Sequence, residues 1–187
     1  MTEQLSPATS ERLDALMQAV VATASNLQLR DTLQRVLEAA TTLVDARYGA
    51  LGVFDDGQEL IEFIPYGMSA EEASGISHWP EGRGLIGLIG REQRTVRLDH
   101  MGSHPAAAGL PDGHPKMDGF LGVPIAVGED TFGNLYLTEK RTGPFTEEDE
   151  RVVKMFAAAA ATAIRNAALK ASGKPAGGAV ECSAPQD

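Results

Sequence analysis

Apolar residues recur at three- and four-residue steps from Ser10 to Ala24 (Leu13, Leu16, Met17, Val20, Val21, Ala24), the spacing that lines one side of a helix. A second helix is expected over about Leu29 to Val44, with Leu29, Leu33, Val36, Leu37, Ala40 and Leu43 on one side. Two helices therefore precede any strand. Tyr48 to Phe54 and Glu59 to Tyr66 then read as strands, and Asp55-Asp56-Gly57 between them is a hairpin turn signal. Ser69-Ala70-Glu71-Glu72 reads as the cap and first turn of a short helix, followed by an irregular stretch from Gly75 to Gly84. Leu85 to Gly90 is expected to pack on the sheet as a short apolar helix or turn, its two glycines weakening the helical pattern.

Thr95 to Leu98 predicts a short strand, and Asp99 to Lys116 a long loop. Gly119 to Val127 and Thr131 to Lys140 predict a second hairpin through the turn Gly128-Glu129-Asp130. Pro144-Phe145-Thr146 opens a last helix, where Thr146 can cap the amide of Asp149 and Glu147 and Glu148 meet the positive end of the helix dipole. Val152, Val153, Phe156, Ala160, Ala161 and Ile164 give that helix an apolar face, and Ala157 to Ala161 make one side nearly smooth. Strands in antiparallel hairpins with long helices at both ends imply an α+β fold: an antiparallel sheet with the terminal helices on one face and the loops, where a ligand would bind, on the other.

A chain of 187 residues that is 43% hydrophobic fits one domain with a proper core. The expected division is a tail over 1–9, a single domain over 10–170, and a disordered tail over 171–187 rich in Gly, Ala, Ser and Pro. A formal charge of −10 without a basic stripe excludes nucleic acid and anionic membranes as expected partners. The longest apolar run, Met155 to Ile164, is short for a membrane span, and no basic-then-apolar leader begins the chain, so a cytoplasmic protein is expected. The only cysteine, Cys182, lies in the C-terminal tail, so no intrachain disulfide forms.

Three of the four histidines, His100, His104 and His114, fall in the long loop. A loop beside an apolar sheet face suits a ligand site, and neutral imidazole is the commonest metal ligand a protein offers. His114, followed by a strand and then by Tyr136 on the next strand, is the candidate on these grounds. The plainer reading makes His114 a surface histidine and Tyr136 an ordinary amphipathic strand residue. His100 and His104 are four apart, as in a helical metal pair, but Gly102 and Pro105 argue against a helix there. No Gly-x-Ser-x-Gly or phosphate-binding loop is present, and enzyme activity is not indicated.

Ala46-Arg-Tyr-Gly-Ala-Leu51, Phe132-Gly-Asn-Leu-Tyr-Leu137 and Pro144-Phe-Thr-Glu-Glu-Asp-Glu150 resemble a GAF domain, a regulatory small-molecule-binding module, over roughly Leu13 to Ala168. Five blocks narrow the resemblance: Pro80-Glu-Gly-Arg-Gly-Leu85, Gly102-Ser-His-Pro105, His114-Pro-x-Met117, Phe120-Leu-Gly-Val-Pro124 and Phe132-Gly-Asn-Leu-Tyr-Leu-Thr138. They resemble the haem-binding first GAF domain of the mycobacterial dormancy sensor histidine kinases, which sense O₂, NO, CO or redox state.

The resemblance implies a haem b cofactor with His114 as the proximal iron ligand, and Tyr136 as the distal residue whose hydroxyl faces a diatomic gas. Apolar candidates for the pocket wall are Leu85, Ile86, Ile89, Met101, Leu110, Met117, Phe120 and Leu121, each equally explained as core. Where that family can carry a glutamate and, two residues on, a histidine, this chain has Gly52 and Phe54, so stable oxygen binding is not carried over. No kinase phosphoacceptor helix or ATP-binding domain is present, so output is expected to pass to a partner such as a histidine kinase. The alanine face and the stripe of Leu13, Leu16 and Val20 would either form the bundle of a homodimer or pack on each other or the sheet.

Other GAF ligands stay open. Glu139-Lys140 with Phe145-x-x-x-Asp149-Glu150 partly matches the motif of cyclic-nucleotide GAF domains, its physical content being a Lys140–Asp149 pair between the last strand and helix. Bilin attachment and methionine-sulfoxide reduction need thiols near the pocket, which Cys182 cannot supply. A non-haem ligand, such as a cyclic nucleotide or an anion, or a ligand-free dimerisation module are the alternatives.

Overall fold

The computed structural model describes residues 28–55, 59–77 and 84–171. The helix expected from Ser10 to Ala24, the tip of the first hairpin turn, residues 78–83 of the irregular stretch and the C-terminal tail from residue 172 lie outside the described residues. The chain is helical from 28 to 43 (α1), followed by β1 (Ala46–Phe54), β2 (Leu60–Tyr66), α2 (Ala70–Gly75), α3 (Gly84–Glu92) and β3 (Val96–Leu98). A 3₁₀ turn at Met101–Ser103 interrupts the long loop before β4 (Phe120–Val127), β5 (Asp130–Lys140) and α4 (Glu147–Ala171). The five strands form one antiparallel sheet in the order β2-β1-β5-β4-β3.

The sheet is covered on both faces, so two apolar clusters form. On one face Leu51, Leu121, Val123, Leu135 and Leu137 of the strands pack with Leu33, Leu37 and Ala40 of α1 and with Val153, Ala157, Ala160 and Ala161 of α4. On the other, Leu85 and Ile89 of α3 pack with Val96 and Phe120. Successive strand residues point to opposite faces. Leu121, expected in the pocket wall, therefore lies fully buried among the terminal helices, while its neighbour Phe120 faces α3.

Leu43, expected on the buried face of α1, is 66% exposed. Buried Thr41 takes a place on that face: its hydroxyl donates to the Leu37 carbonyl at 2.7 Å, and it packs over Gly49 of β1, where a Cβ would lie 2.6 Å from that oxygen.

The cap signals form as expected. The Ser69 hydroxyl accepts from the Glu72 amide and the Glu72 carboxylate accepts from the Ser69 amide, a complete capping box on α2. At α4 the Thr146 hydroxyl accepts from the Asp149 amide at 3.2 Å, and Asp149 Oδ2 accepts from the Thr146 amide at 2.7 Å and from its hydroxyl at 2.9 Å. Lys140 completes the group with an ion pair to Asp149 that ties β5 to α4.

Burial of the Asp149 carboxylate pushes its pKa up, but the Lys140 hydrogen bond, the two Thr146 bonds and the Lys140 charge outweigh it, and the net shift is downward. A carboxylate whose folded pKa is depressed stabilises the fold above its unfolded value, ordinarily near 3.8, and loses that contribution as pH falls through the lower folded value. Asp149→Asn is expected to cost about 1–2 kcal/mol at pH 7. Urea unfolding of parent and variant should show that gap narrowing below about pH 4.

By length and hydropathy α4 as a whole could cross a bilayer, which the run from Met155 to Ile164 alone had not suggested. In this fold Val153, Ala157, Ala160, Ala161 and Ile164 are buried in the helix-side core, while Met155 on another side of the helix is 74% exposed.

Candidate functional site

A cavity of about 630 Å³ lies between the sheet and the loops on the face opposite α1 and α4. Tyr48 and Ala50 of β1, Phe63 of β2, Phe120 of β4, and Tyr136 and Thr138 of β5 contribute from the sheet. The register explains the set. Ala50 lies opposite Tyr136, Tyr48 opposite Thr138, and Phe120 opposite Thr138 on the other side, so their side chains share one face. Leu85 and Ile86 from the start of α3, Met101 from the 3₁₀ turn, and Leu110, His114 and Met117 from the long loop close it over.

Eight of the ten residues singled out from the sequence thus meet around one space: His114, Tyr136, Leu85, Ile86, Met101, Leu110, Met117 and Phe120. Leu121 is on the opposite face, and fully buried Ile89 lies over Gly122 of β4, outside the lining. Gly52 and Phe54 also lie outside it. Tyr48, Ala50, Phe63, Met68, Ile76, Pro111 and Thr138 line the cavity without having been anticipated. Alternation from Tyr136 would have pointed to Thr138, but the β1 and β2 residues follow only from a strand pairing that the chain does not spell out.

The loop is held at both ends of its histidine segment. Gly113, immediately before His114, has φ +79°, and a Cβ on it would lie 2.0 Å from the Gly75 carbonyl oxygen, so only glycine lets the loop lie this close to α2. The Ser77 amide donates to the Asp112 carbonyl beside this contact, at 3.2 Å. On the other side of the histidine, the Thr138 hydroxyl donates to Met117 Sδ at 3.0 Å, and the amides of Asp118 and Gly119 donate to Glu139 Oε1 at 2.6 and 3.2 Å. Glu139 itself has φ +57°, a strained conformation for a residue with a side chain.

His114 is half-buried, and its Nδ1 lies 2.9 Å from the Pro115 carbonyl oxygen. A carbonyl only accepts, so Nδ1 carries a proton, and in the neutral imidazole Nε2 is then the nitrogen with the lone pair; it has no protein partner among the described residues. The Tyr136 ring stacks on Phe120, with centroids 6.0 Å apart and planes inclined by 25°. Burial raises the Tyr136 phenol pKa well above its ordinary value, so it stays a neutral donor, and among the described residues its hydroxyl has no hydrogen-bond partner.

The other loop histidines are engaged elsewhere. Exposed His100 bonds Asp118 through Nδ1 at 2.7 Å, and His104 Nδ1 accepts from the Ala106 amide at 3.1 Å. Among the described residues no group of three His, Cys, Asp or Glu side chains could hold a metal ion. A second depression, of about 680 Å³, is an open groove between α1 and α4 lined by Gln28, Asp31, Thr32, Arg35, Val36, Ala39 and Phe156.

The family model for the GAF domain matches residues 26–165, well over half the chain. The chain belongs to the GAF family. It is therefore a sensor domain of the kind used in signal transduction, and such domains are typically regulatory modules, not catalysts.

Solved GAF structures share the fold. The GAF domain of a phosphoenolpyruvate-protein phosphotransferase from Coxiella burnetii is 24% identical, with a TM-score of 0.66 over 84% of this chain and 98% of that one. The corresponding Acinetobacter domain is 22% identical, with a TM-score of 0.63 over 88% and 96%. The second GAF domain of DevS from Mycobacterium smegmatis is 21% identical, with a TM-score of 0.57 over 78% and 99%. At these identities the likeness concerns the fold.

Proposed function

We propose that this GAF domain binds haem b through His114 and senses a diatomic gas or redox state. The observation that carries the reading is the Nδ1–H bond to the Pro115 carbonyl, which leaves Nε2 as the ligating nitrogen and makes it more basic, as in other metal-bound histidines. The cavity's volume lies within the ~300–1,000 Å³ typical of small-molecule and cofactor sites. Its walls are largely apolar and aromatic. Haem supplies an iron centre that binds diatomic gases and changes oxidation state.

The protein's own residues supply the discrimination. Tyr136, neutral and without an acceptor among the described residues, offers one hydrogen bond to a polar diatomic such as O₂ and little to CO. For a cyclic nucleotide the support is weaker, because no Lys or Arg is among the described lining residues to meet the phosphate. The Lys140–Asp149 pair belongs to the junction of β5 and α4 instead.

A route to the output helix is built into the same segment. The amides that follow Met117 are clasped by Glu139, and the next residue, Lys140, holds Asp149 in the first turn of α4. In this proposal, movement of the His114 loop reaches α4 through that junction, and from there a second copy of the chain or an output partner such as a histidine kinase.

The absorbance spectrum of the purified protein tests the cofactor, with a Soret band expected. A colourless protein stabilised by a nucleotide, or a colourless dimer indifferent to ligands, would replace this reading with one of the other two. Tyr136→Phe is expected to keep the Soret band and to lower O₂ affinity relative to CO by about three- to tenfold, the worth of one net hydrogen bond. Equal O₂ and CO affinities in variant and parent would remove the role given to the hydroxyl.

A further inference from the structure

Among the described residues nothing polar bonds the Tyr136 hydroxyl, and its direction follows from how the ring packs. Across the ladder from Tyr136, β4 carries Gly122, and two residues earlier on the same strand stands Phe120. A Cβ at Gly122 would lie 2.8 and 2.9 Å from Cε1 and Cζ of the Phe120 ring and 2.3 Å from Ile89 Cδ1. The phenylalanine ring therefore leans over the glycine, and Ile89 of α3 comes down on the same spot. Phe120 is 3% exposed and Ile89 fully buried. An added methyl group can be accommodated at Ile89 by turning the far end of a flexible side chain. The Phe120 ring must give way as well, and because it stacks on Tyr136 its displacement is passed to that ring.

We propose that Gly122 is a specificity-determining position of this cavity: by leaving room for the Phe120 ring beside Tyr136, it fixes the direction in which the phenol is presented to a bound ligand. Gly122 is a positioning residue, acting through Phe120 and not by contact with the ligand. The proposal rests on the haem reading for the ligand but not for the packing, so the two are separable by experiment.

The test compares the full chain with Gly122→Ala, Phe120→Leu and the double variant Gly122→Ala/Ile89→Val. Three measurements are made: the Soret band, the O₂-to-CO affinity ratio, and the nuclear Overhauser contact between the rings of residues 120 and 136. Gly122→Ala is expected to keep the Soret band, to shift the affinity ratio about three- to tenfold in the direction of Tyr136→Phe, and to weaken the ring contact. Phe120→Leu, which removes the stacking partner without adding volume at 122, is expected to shift the ratio in the same direction. Adding Ile89→Val is expected to leave the shift in place.

An unchanged ratio in Gly122→Ala with the band intact would overturn the proposal, as would restoration by Ile89→Val, which would place the effect in α3. If the parent protein carries no haem, the cofactor reading fails by itself. The ring contact then still decides the packing claim, and its persistence in Gly122→Ala would end that claim too.

Discussion

Replacing His114 with alanine is expected to abolish the Soret band of the purified protein and to lower haem affinity by more than the roughly 10–100-fold typical of losing a residue that only supports a metal ligand. The side chain is part of a loop, and among the described residues its ring makes one bond, to the neighbouring Pro115 carbonyl. Neither apolar cluster includes it, so the thermal midpoint of the cofactor-free protein should move by no more than the few degrees usual for a site outside the core. Free imidazole should restore part of the band by entering the space vacated. His100→Ala is the matched control, because that ring is exposed and bonded to Asp118, and its spectrum should equal the parent's. A full Soret band in His114→Ala would remove the assignment of the iron ligand.

The largest effect on stability is expected from Gly133→Ala. Gly133 lies within β5, paired with Val53 of β1 on one side and Ile125 of β4 on the other. A Cβ there would lie 1.9 Å from the Gly52 carbonyl oxygen and 3.2 Å from the Val53 Cα. Those atoms are backbone, so no rotamer change relieves the clash, and β1 must part from β5 in the middle of the sheet. A cost of about 3 kcal/mol or more is expected, with a drop in melting temperature of roughly 6–12 °C for a chain of this length. Gly102→Ala should change stability by less than about 0.5 kcal/mol, because a Cβ at Gly102 meets nothing within 4 Å. Urea unfolding followed by circular dichroism separates the two, and equal midpoints would contradict the close approach of β1 and β5.

Local patterns carried much of the fold. The period of α1, the two hairpins, the capping box at Ser69 and the Thr146 cap each depend on residues a few positions apart, and each forms as read. The failures have equally local causes. Leu43 satisfies a three-to-four-residue rhythm yet falls outside the contact with the sheet, because Thr41 fits over Gly49 in its stead. The apolar run around Leu121 gives no hint of which face each residue takes, so wall and core are equally open for it in the sequence. The pairing of Gly122 with Tyr136 settles that Phe120, and not Leu121, turns toward the cavity.

The sequence by itself determined the element order, the two-faced antiparallel sheet, the loop that bears His114, and the cap residues, because periodicity and capping act between near neighbours. Only the tertiary structure decided which residues share the cavity. Tyr48 and Ala50 meet Thr138 and Tyr136 across a β1–β5 pairing separated by more than eighty residues. Gly113 and Gly75 touch across a gap of nearly forty. Strand register and close backbone approach are set by the packing of the whole sheet, and no short stretch of chain contains that information.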